Sequence, residues 1–254
     1  MLKEYLNRIN YTGVVSPEHF TLFGIHRNHL LSIPFENLEI HFGKKIILNK
    51  DHLYNKIIKN KRGGYCYELN GMLYLLLKET GFKVKMISAQ VNIGENADNI
   101  WSQEFSHMAL IVTFGENENY LCDVGFGDNF IEPLKFDINV SRKDPAGIFR
   151  IIKGDGEYFN LQNSQDGIEF KNSYRFTVKE REWKDFEEMN IYQQTSENSH
   201  FTKNRICSIA TVTGRISLSS TKLTITENGE KKITELTDEN DFKKKLREYF
   251  QIRL

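Results

Sequence analysis

Paired cysteines are missing from this sequence. It contains three cysteines in 254 residues, Cys66, Cys122 and Cys207, and none of them belongs to a C-x-x-C pair. An odd number of cysteines without such pairing argues against both a disulfide scaffold and a cysteine zinc site. We therefore expect no metal, and we expect a reducing cytoplasm as the location, where a thiol stays available for chemistry.

The sequence also lacks an excess of charge and a long apolar run. Its 34 basic and 34 acidic residues cancel, which removes any bulk attraction to nucleic acid or to an anionic membrane surface. The N-terminal residues show no apolar segment typical of a secretory signal, and no apolar run is long enough to span a bilayer. We therefore expect neither a nucleic-acid partner nor a membrane partner.

What the sequence does contain is a short motif around one cysteine. Residues 62–70 read RGGYCYELN, so Cys66 lies just after a Gly-Gly pair and opens an apolar helical segment that Gly81 ends. Apolar residues on nearly all sides of this helix predict that it is buried. The free N–H groups and positive dipole at a helix start stabilise a thiolate and can later hold an oxyanion. Cys66 is therefore the candidate nucleophile.

The type of predicted element changes along the chain. Residues 1–82 are mainly helical, with Ser16-Pro17-Glu18 as a start signal. From residue 83 onward, short strands with polar turns predict an antiparallel barrel or sandwich. The tail is mixed, with a hairpin signalled by Asn228-Gly229 and a helix starting near Asp238. This order predicts an α+β fold.

A cysteine nucleophile needs a base, normally histidine, and the histidine needs a partner that fixes its ring. Of the seven histidines, His107 differs from the others because it opens a strand-like run, MALIVTF. Asp123 lies in the next apolar strand, where a carboxylate without a partner would be costly to bury. We therefore expect His107 and Asp123 to interact.

The register of the two strands tests this expectation. Direct pairing of His107 with Asp123 in an antiparallel hairpin requires a turn centred on Gly115. A turn centred near Asn117 would offset the two residues by about four positions, roughly 13 Å along the strand. We therefore expect either that Gly115 lies at the centre of the turn or that a β-bulge corrects the offset.

Each of these residues also has a simpler interpretation. A lone cysteine is usually a small buried hydrophobe, which is what we expect of Cys122 and Cys207. A lone histidine is usually structural, and an aspartate before Val-Gly is usually a turn or bulge residue. Spacing and context alone therefore leave the set Cys66, His107 and Asp123 as a minority hypothesis.

The order of residues carries more information than their spacing. Residues 62–70 resemble the R-G-G-x-C-x-E-x-N signature of the arylamine N-acetyltransferases. Further blocks similar to that family follow the same order: IPFENL at 33–38, DVGFG at 123–127, AGIFR at 146–150 and TGRISL at 213–218. His107 stands at the expected place before the DVGFG block. The resemblance runs from about residue 30 to about residue 220.

This resemblance implies a fold and an activity. The fold would have three consecutive parts: a helical bundle at 1–82 that carries the nucleophile, an antiparallel β-barrel at 83–190 that carries His and Asp, and an α/β lid at 191–254. Its catalytic core would be similar to that of cysteine proteases. The activity would be ping-pong transfer of an acetyl group from acetyl-CoA, through an acetyl-cysteine, to an arylamine or hydrazine.

The resemblance also implies roles for individual residues. By that comparison, the catalytic triad is Cys66, His107 and Asp123, the acceptor pocket is lined by Phe35, Phe126 and Phe130, and the coenzyme lies near Gly125 and Phe201. The loop at 196–201, SENSHF, lacks a proline that the family often has there. The shape of this loop and its coenzyme contacts therefore do not follow from the resemblance.

Other functions remain compatible with the same three residues. A papain- or transglutaminase-like hydrolase uses such a triad, and only the exclusion of water from the acyl-enzyme separates hydrolysis from transfer. An amide synthase of the same superfamily would take a tethered acyl donor in place of acetyl-CoA. A binding protein with a degenerate site is a further alternative, although all three triad residues are present.

Overall fold

The structure is a computed structural model that describes residues 1–94, 99–127 and 129–254. Its α-helices are α1 (Leu2–Arg8), α2 (His19–Ser32), α3 (Leu38–His41), α4 (Lys50–Leu53), α5 (Cys66–Glu79), α6 (Glu187–Thr195), α7 (His200–Lys203) and α8 (Glu239–Phe250). A π-helical segment, Tyr54–Lys59, follows α4, and a 3-10 helix, Trp183–Phe186, precedes α6. Among the described residues, no helix has the length and apolar character needed to cross a membrane.

The strands form a small and a large antiparallel sheet. They are β1 (Phe35–Glu36), β2 (Lys83–Val91), β3 (His107–Phe114), β4 (Glu118–Cys122), β5 (Leu134–Lys135), β6 (Arg142–Asp144), β7 (Gly147–Lys153), β8 (Phe159–Ser164), β9 (Lys171–Phe176), β10 (Ile206–Thr211), β11 (Gly214–Ser219), β12 (Lys222–Glu227) and β13 (Glu230–Glu235). The eight-stranded sheet has the order β5-β4-β3-β2-β9-β8-β7-β6, and the five-stranded sheet has the order β1-β10-β11-β12-β13.

Helix α5 lies in the core and carries the candidate nucleophile at its first position. Its residues from Cys66 to Leu73 are all buried, because apolar side chains occur on every face of the helix. The helix begins after an extended Tyr65, and Gly81 beyond its end takes a φ of +90°, which glycine adopts at little cost. The predicted start, stop and burial of this helix are confirmed.

The larger sheet curls into a nearly closed, barrel-like form, which confirms the barrel rather than the sandwich. Strand β3 lies between β2 and β4, and its side chains alternate between the two faces of the sheet. Met108, Leu110 and Val112 pack in the core around α5, whereas Ala109 and Ile111 pack in a second core built from strands β2 to β9. The apolar run of β3 is continuous because both of its faces are covered.

The smaller sheet joins the two ends of the chain. Strand β1 comes from the helical first part, and its Phe35 pairs with Ser208 of β10. The hairpin between β12 and β13 turns at Asn228 and Gly229, both with positive φ, so this prediction is confirmed. Helix α8 covers the sheet with Phe242, Leu246 and Phe250.

The predicted boundary at residue 190 does not coincide with the end of an element. It falls inside α6, Glu187–Thr195, whereas the boundary at 82 falls between α5 and β2. Pairing of β1 with β10 also ties the first predicted part to the third. The division into three parts stays a prediction, and its second boundary is better placed outside α6.

Candidate active site

The Gly-Gly pair allows two segments to approach closely just before α5. A Cβ on Gly63 would lie 2.0 Å from the Pro34 carbonyl oxygen, and one on Gly64 would lie 2.7 Å from Cβ of Glu68. The Glu68 carboxylate folds back and accepts a hydrogen bond from the Tyr65 N–H at 3.1 Å, while the Glu68 N–H donates to the Tyr65 carbonyl oxygen at 3.0 Å. These contacts fix the helix start, and therefore Cys66, in place.

A buried ion pair joins the first two sequence blocks. Nη2 of Arg62 lies 2.7 Å from Oε1 of Glu36, whose side chain is fully buried. The Glu36 N–H also donates to the Gly64 carbonyl oxygen at 2.8 Å. Because of this pairing, the segment that carries Phe35 is held against the turn that precedes Cys66.

Near the start of α5, two buried carboxylates bind the ammonium group of Lys56. Glu39, His52 and Glu68 bring potential metal-ligand atoms within 4.8 Å of one another. However, Nζ of Lys56 lies 3.0 Å from Oε2 of Glu39 and 2.8 Å from Oε1 of Glu68. Burial raises the pKa of Glu68 to about 7, although the Lys56 charge opposes this. We assign no metal to this cluster, because the lysine ammonium already binds both carboxylates.

His107 and Asp123 are hydrogen-bonded in the core. Nε2 of His107 lies 2.8 Å from Oδ2 of Asp123, and the two side chains are 2% and 0% exposed. Cys66 lies close enough to His107 for its side chain to help raise the pKa of that ring, and both residues line one cavity. Because Nε2 of His107 is bonded to Asp123, the other ring nitrogen, Nδ1, is available to interact with the Cys66 thiol.

The two residues meet in a way that the sequence did not predict. Phe114 pairs with Glu118, so the β3–β4 turn is centred on Glu116, and the prediction that Gly115 lies at its centre is wrong. The register from Leu110–Cys122 to Phe114–Glu118 contains no shift, so the alternative prediction of a β-bulge is wrong as well. Continuing this register places Asp123 opposite Ala109, two residues from His107 and on the same face. A diagonal contact of this kind is within reach of long side chains.

The carboxylate of Asp123 is held by several donors besides His107. Its Oδ1 accepts hydrogen bonds from Nδ2 of Asn70 and from the Gly125 N–H, both at 2.9 Å. Its Oδ2 also accepts from Nδ2 of Asn129 at 3.1 Å. Asn70 in turn accepts the Val124 N–H at 2.9 Å. The helix that carries Cys66 is therefore bonded directly to the loop that carries Asp123.

This arrangement fixes the charge states of the pair. Burial alone would lower the pKa of His107, but the charge and hydrogen bond of Asp123, helped by Cys66, raise it to about 10. Burial alone would raise the pKa of Asp123, but His107 and the amide donors hold it below its ordinary value. At neutral pH the pair is therefore an imidazolium and a carboxylate.

Gly125 packs directly on the nucleophile. A Cβ at this position would lie 2.6 Å from Cα of Cys66 and 2.8 Å from Nδ2 of Asn70. Real Cβ atoms do not approach other heavy atoms this closely, so a larger residue would displace either the helix start or Asn70. The glycine of the DVGFG block is therefore required for the position of Cys66.

Gly125→Ala is expected to lower activity by about 100-fold, because misplacing reacting groups by around 1 Å costs that much. The measurement is the rate of Cys66 alkylation by iodoacetamide, together with turnover. Gly127→Ala is the matched control, since a Cβ there meets no heavy atom of the described residues within 4 Å. Equal alkylation rates in the two variants would contradict the contact-based argument.

A cavity of about 710 Å³ opens beside the three residues. Cys66 is only 3% exposed, yet both Cys66 and His107 line this cavity. Of the residues predicted to contact substrates, Phe35, Phe126, Gly125 and Phe201 line it as well. Its size is within the range of small-molecule sites, about 300–1,000 Å³.

Phe130 does not line the cavity, so its predicted place in an acceptor pocket is wrong. Its side chain is fully buried in the second core, stacked on His26 and packed edge-on against Phe149. The loop at 196–201, whose shape the sequence left open, forms part of the cavity wall with Asn198, Ser199 and His200. Ser199 caps α7 by accepting the Phe201 N–H at 3.1 Å.

Sequence reasoning missed several residues around the site. Asn70 stood in the quoted motif without a role, although it holds both Asp123 and the adjoining backbone. Asn129 has no local signal, because a polar residue after a Gly-rich turn is common. Helix α6 supplies Met189, Tyr192 and Gln193 to the cavity wall, and its pattern alone does not indicate which face meets the cavity.

The sequence matches a family model and known proteins over most or all of its length. A family model described as N-acetyltransferase matches residues 20–254. The chain is 31% identical over 278 residues to the liver isozyme of arylamine N-acetyltransferase from Gallus gallus, covering 100% of this chain and 96% of that protein.

Solved structures agree with the sequence matches. The arylamine N-acetyltransferase of Mycobacterium marinum, solved in complex with CoA, superposes with a TM-score of 0.91 at 28% identity, covering 99% of this chain and 93% of that one. The arylamine N-acetyltransferase from Bacillus cereus, described as having a unique Cys-His-Glu catalytic triad, gives a TM-score of 0.89 at 29% identity, covering 100% and 98%. The corresponding acid proposed for this chain is an aspartate, Asp123.

Proposed function

The chain belongs to the arylamine N-acetyltransferases, which are acyltransferases, and we propose that it transfers an acetyl group from acetyl-CoA to an arylamine or hydrazine through an acetyl-cysteine on Cys66. The observation that carries this proposal is the buried chain of contacts from Cys66 to His107 to Asp123 at the wall of the cavity. The core that holds these residues would then be similar to that of cysteine proteases.

The first half-reaction uses the thiolate–imidazolium pair. The Cys66 thiolate attacks the thioester carbonyl carbon of acetyl-CoA, and N–H groups at the start of α5 stabilise the oxyanion. The bond from the carbonyl carbon to the CoA sulfur then breaks, and the departing sulfur takes the proton of His107. An acetyl-cysteine and a neutral imidazole remain. Asp123 stabilises the His107 imidazolium before the proton transfer and holds the orientation of the neutral ring after it.

Coenzyme would enter along the cavity. The M. marinum relative was solved with CoA, which supports a CoA site in this chain because the two folds match over 99% of its length. Gly125 and Phe201 line the cavity and are the residues we place near the coenzyme. Their contacts with it are part of the proposal.

The second half-reaction uses the apolar part of the same cavity. Aromatic amines are weakly basic, so they arrive uncharged and nucleophilic at neutral pH. Phe35 and Phe126 offer flat apolar walls for such an acceptor. As the amine nitrogen attacks the acetyl-cysteine, neutral His107 takes its proton and Cys66 leaves as the thiolate. The starting ion pair is thereby restored.

The location follows from the chemistry of the nucleophile. Cys66, Cys122 and Cys207 are all free. Because the reaction requires a reduced thiol, we propose a reducing compartment such as the cytoplasm.

The proposal is tested by trapping the intermediate. Supplied with acetyl-CoA but no acceptor, the protein should gain one acetyl group, and mass spectrometry of a digest should place it on the peptide containing Cys66. Adding an arylamine or a hydrazine should remove the label and release the acetylated amine. The peptides containing Cys122 and Cys207 are internal controls, since both thiols are fully buried.

Several results would contradict the proposal. Absence of label with acetyl-CoA would favour an amide synthase that takes a tethered donor. Loss of the label to water as fast as to the amine, or cleavage of peptides without CoA, would favour a thiol hydrolase.

A further inference from the structure

Asp123 lies just beyond the last pair of the β3–β4 ladder, Leu110 with Cys122. Its N–H therefore needs another acceptor, since a buried N–H without one is costly. That acceptor is Nε2 of His26, a residue of α2, at 3.0 Å. Nothing in the sequence marks His26 as functional, because it lies in a helical segment without a neighbouring strand.

The hydrogen bond of the second ring nitrogen, Nδ1, determines the tautomer of His26. Nδ1 donates to the Ile131 carbonyl oxygen at 2.8 Å, so the proton lies on Nδ1 and Nε2 is free to accept. The Ile131 N–H is itself bound by the carboxylate of Asp144 at 3.0 Å. The ring is fully buried and stacks on Phe130, with 5.7 Å between centroids. This histidine is therefore held rigidly between two backbone segments.

We propose that His26 is a positioning residue for the acetyl-transfer reaction: by accepting the Asp123 N–H, it sets the place from which the Asp123 carboxylate holds His107. This inference rests on the proposed function. Without the acceptor, the Asp123 backbone would have to turn toward another partner, and the short contact to His107 would lengthen.

The role requires a neutral His26. A second proton on Nε2 would face the Asp123 N–H, placing two donors against each other. Burial lowers the pKa of His26, while the charges of Asp123 and Asp144 and its two backbone hydrogen bonds act in the opposite direction. The neighbouring His29 on α2 is also buried, and its pKa is likewise lowered. The ring is therefore neutral at neutral pH.

The test compares two side chains of similar length, His26→Gln and His26→Met. Only glutamine retains an acceptor that can reach the Asp123 N–H. We expect the half-maximal pH for iodoacetamide alkylation of Cys66 to rise by about one unit in His26→Met, because the imidazolium loses support. The turnover number should fall about tenfold, as when an orienting hydrogen bond is lost, with KM unchanged. His26→Gln should lie closer to the wild type in both measurements.

His29→Phe is the matched control for general destabilisation. His29 is equally buried on the same helix, but its Nδ1 contacts the Tyr5 hydroxyl at 2.8 Å rather than the triad. Its alkylation profile should match the wild type whatever its melting temperature. Identical profiles for His26→Gln and His26→Met, or a shift in His29→Phe as large as that in His26→Met, would overturn the inference. Failure of the proposed function is distinguishable, because it would leave the wild type without an acetyl label.

Discussion

Cys66→Ala is expected to abolish acetyl transfer while leaving the fold intact. Removing a catalytic nucleophile typically costs a factor of about 10⁴ or more, because no other group can carry the acyl intermediate. Cys66→Ser should behave in the same way, since a hydroxyl there stays un-ionised. The measurements are turnover of acetyl-CoA with an arylamine, the acetyl label on the protein, and the melting temperature.

Cys207→Ala is the matched control for this prediction. Cys207 is fully buried in β10, within the core beneath α8, so the same atom is removed from a comparable environment. We expect full activity and a stability loss of about 1 kcal/mol. Retained transfer in Cys66→Ala, or lost transfer in Cys207→Ala, would show that the acyl group is carried elsewhere.

The elements that the sequence predicts well are those whose ends carry local signals. Helix α5 has an apolar interior and Gly81 just beyond its end, and the β12–β13 hairpin has Asn228-Gly229 at its turn. Strand β1 has no such signal, because two residues pair with β10 more than 160 positions later. Pairing at that distance depends on the packed fold rather than on local preference.

The candidate site also combines residues that local sequence signals indicate with residues that only the packed fold brings together. The motif at 62–70 indicates Cys66 because a helix start after two glycines is a local arrangement. The meeting of His107 with Asp123 depends on the register, which the conformation of the turn around Glu116 decides. Phe130 was misassigned for a different reason. A phenylalanine in the core and one that lines a pocket look the same in the sequence, and only their burial in the fold distinguishes them.

Asp123→Asn is expected to reduce activity by about 10⁴-fold, the scale seen when a triad carboxylate becomes an amide. Asn70 and the Gly125 N–H both donate to Oδ1 of Asp123, so an asparagine would keep its oxygen there and turn its NH₂ toward His107. Nε2 of His107 would then accept, and the ring proton would move to Nδ1, which faces the thiol. A ring in this form cannot take a proton from Cys66.

The same variant should change the pH dependence in a defined direction. In the wild type the raised pKa of His107 means that the stability from the ion pair is complete below about pH 6.5 and is lost as pH rises through about 10. The lowered pKa of Asp123 means that its contribution is present above about pH 4 and is lost in acid. The difference in melting temperature between wild type and Asp123→Asn should therefore be largest between about pH 4 and 6.5 and shrink toward pH 10.

Alkylation of Cys66 provides the independent measurement. Without the carboxylate, burial disfavours the imidazolium and the largest opposing influence on the pKa of His107 is gone, although that of Cys66 remains. The alkylation curve should therefore move to higher pH. Asp166→Asn is the control, because this carboxylate caps a surface turn by accepting hydrogen bonds from the N–H groups of Ile168 and Glu169 and from the Ser164 hydroxyl. An alkylation curve for Asp123→Asn that overlays the wild type would mean that Asp123 does not govern the charge of His107, and the acid would then have only a structural role.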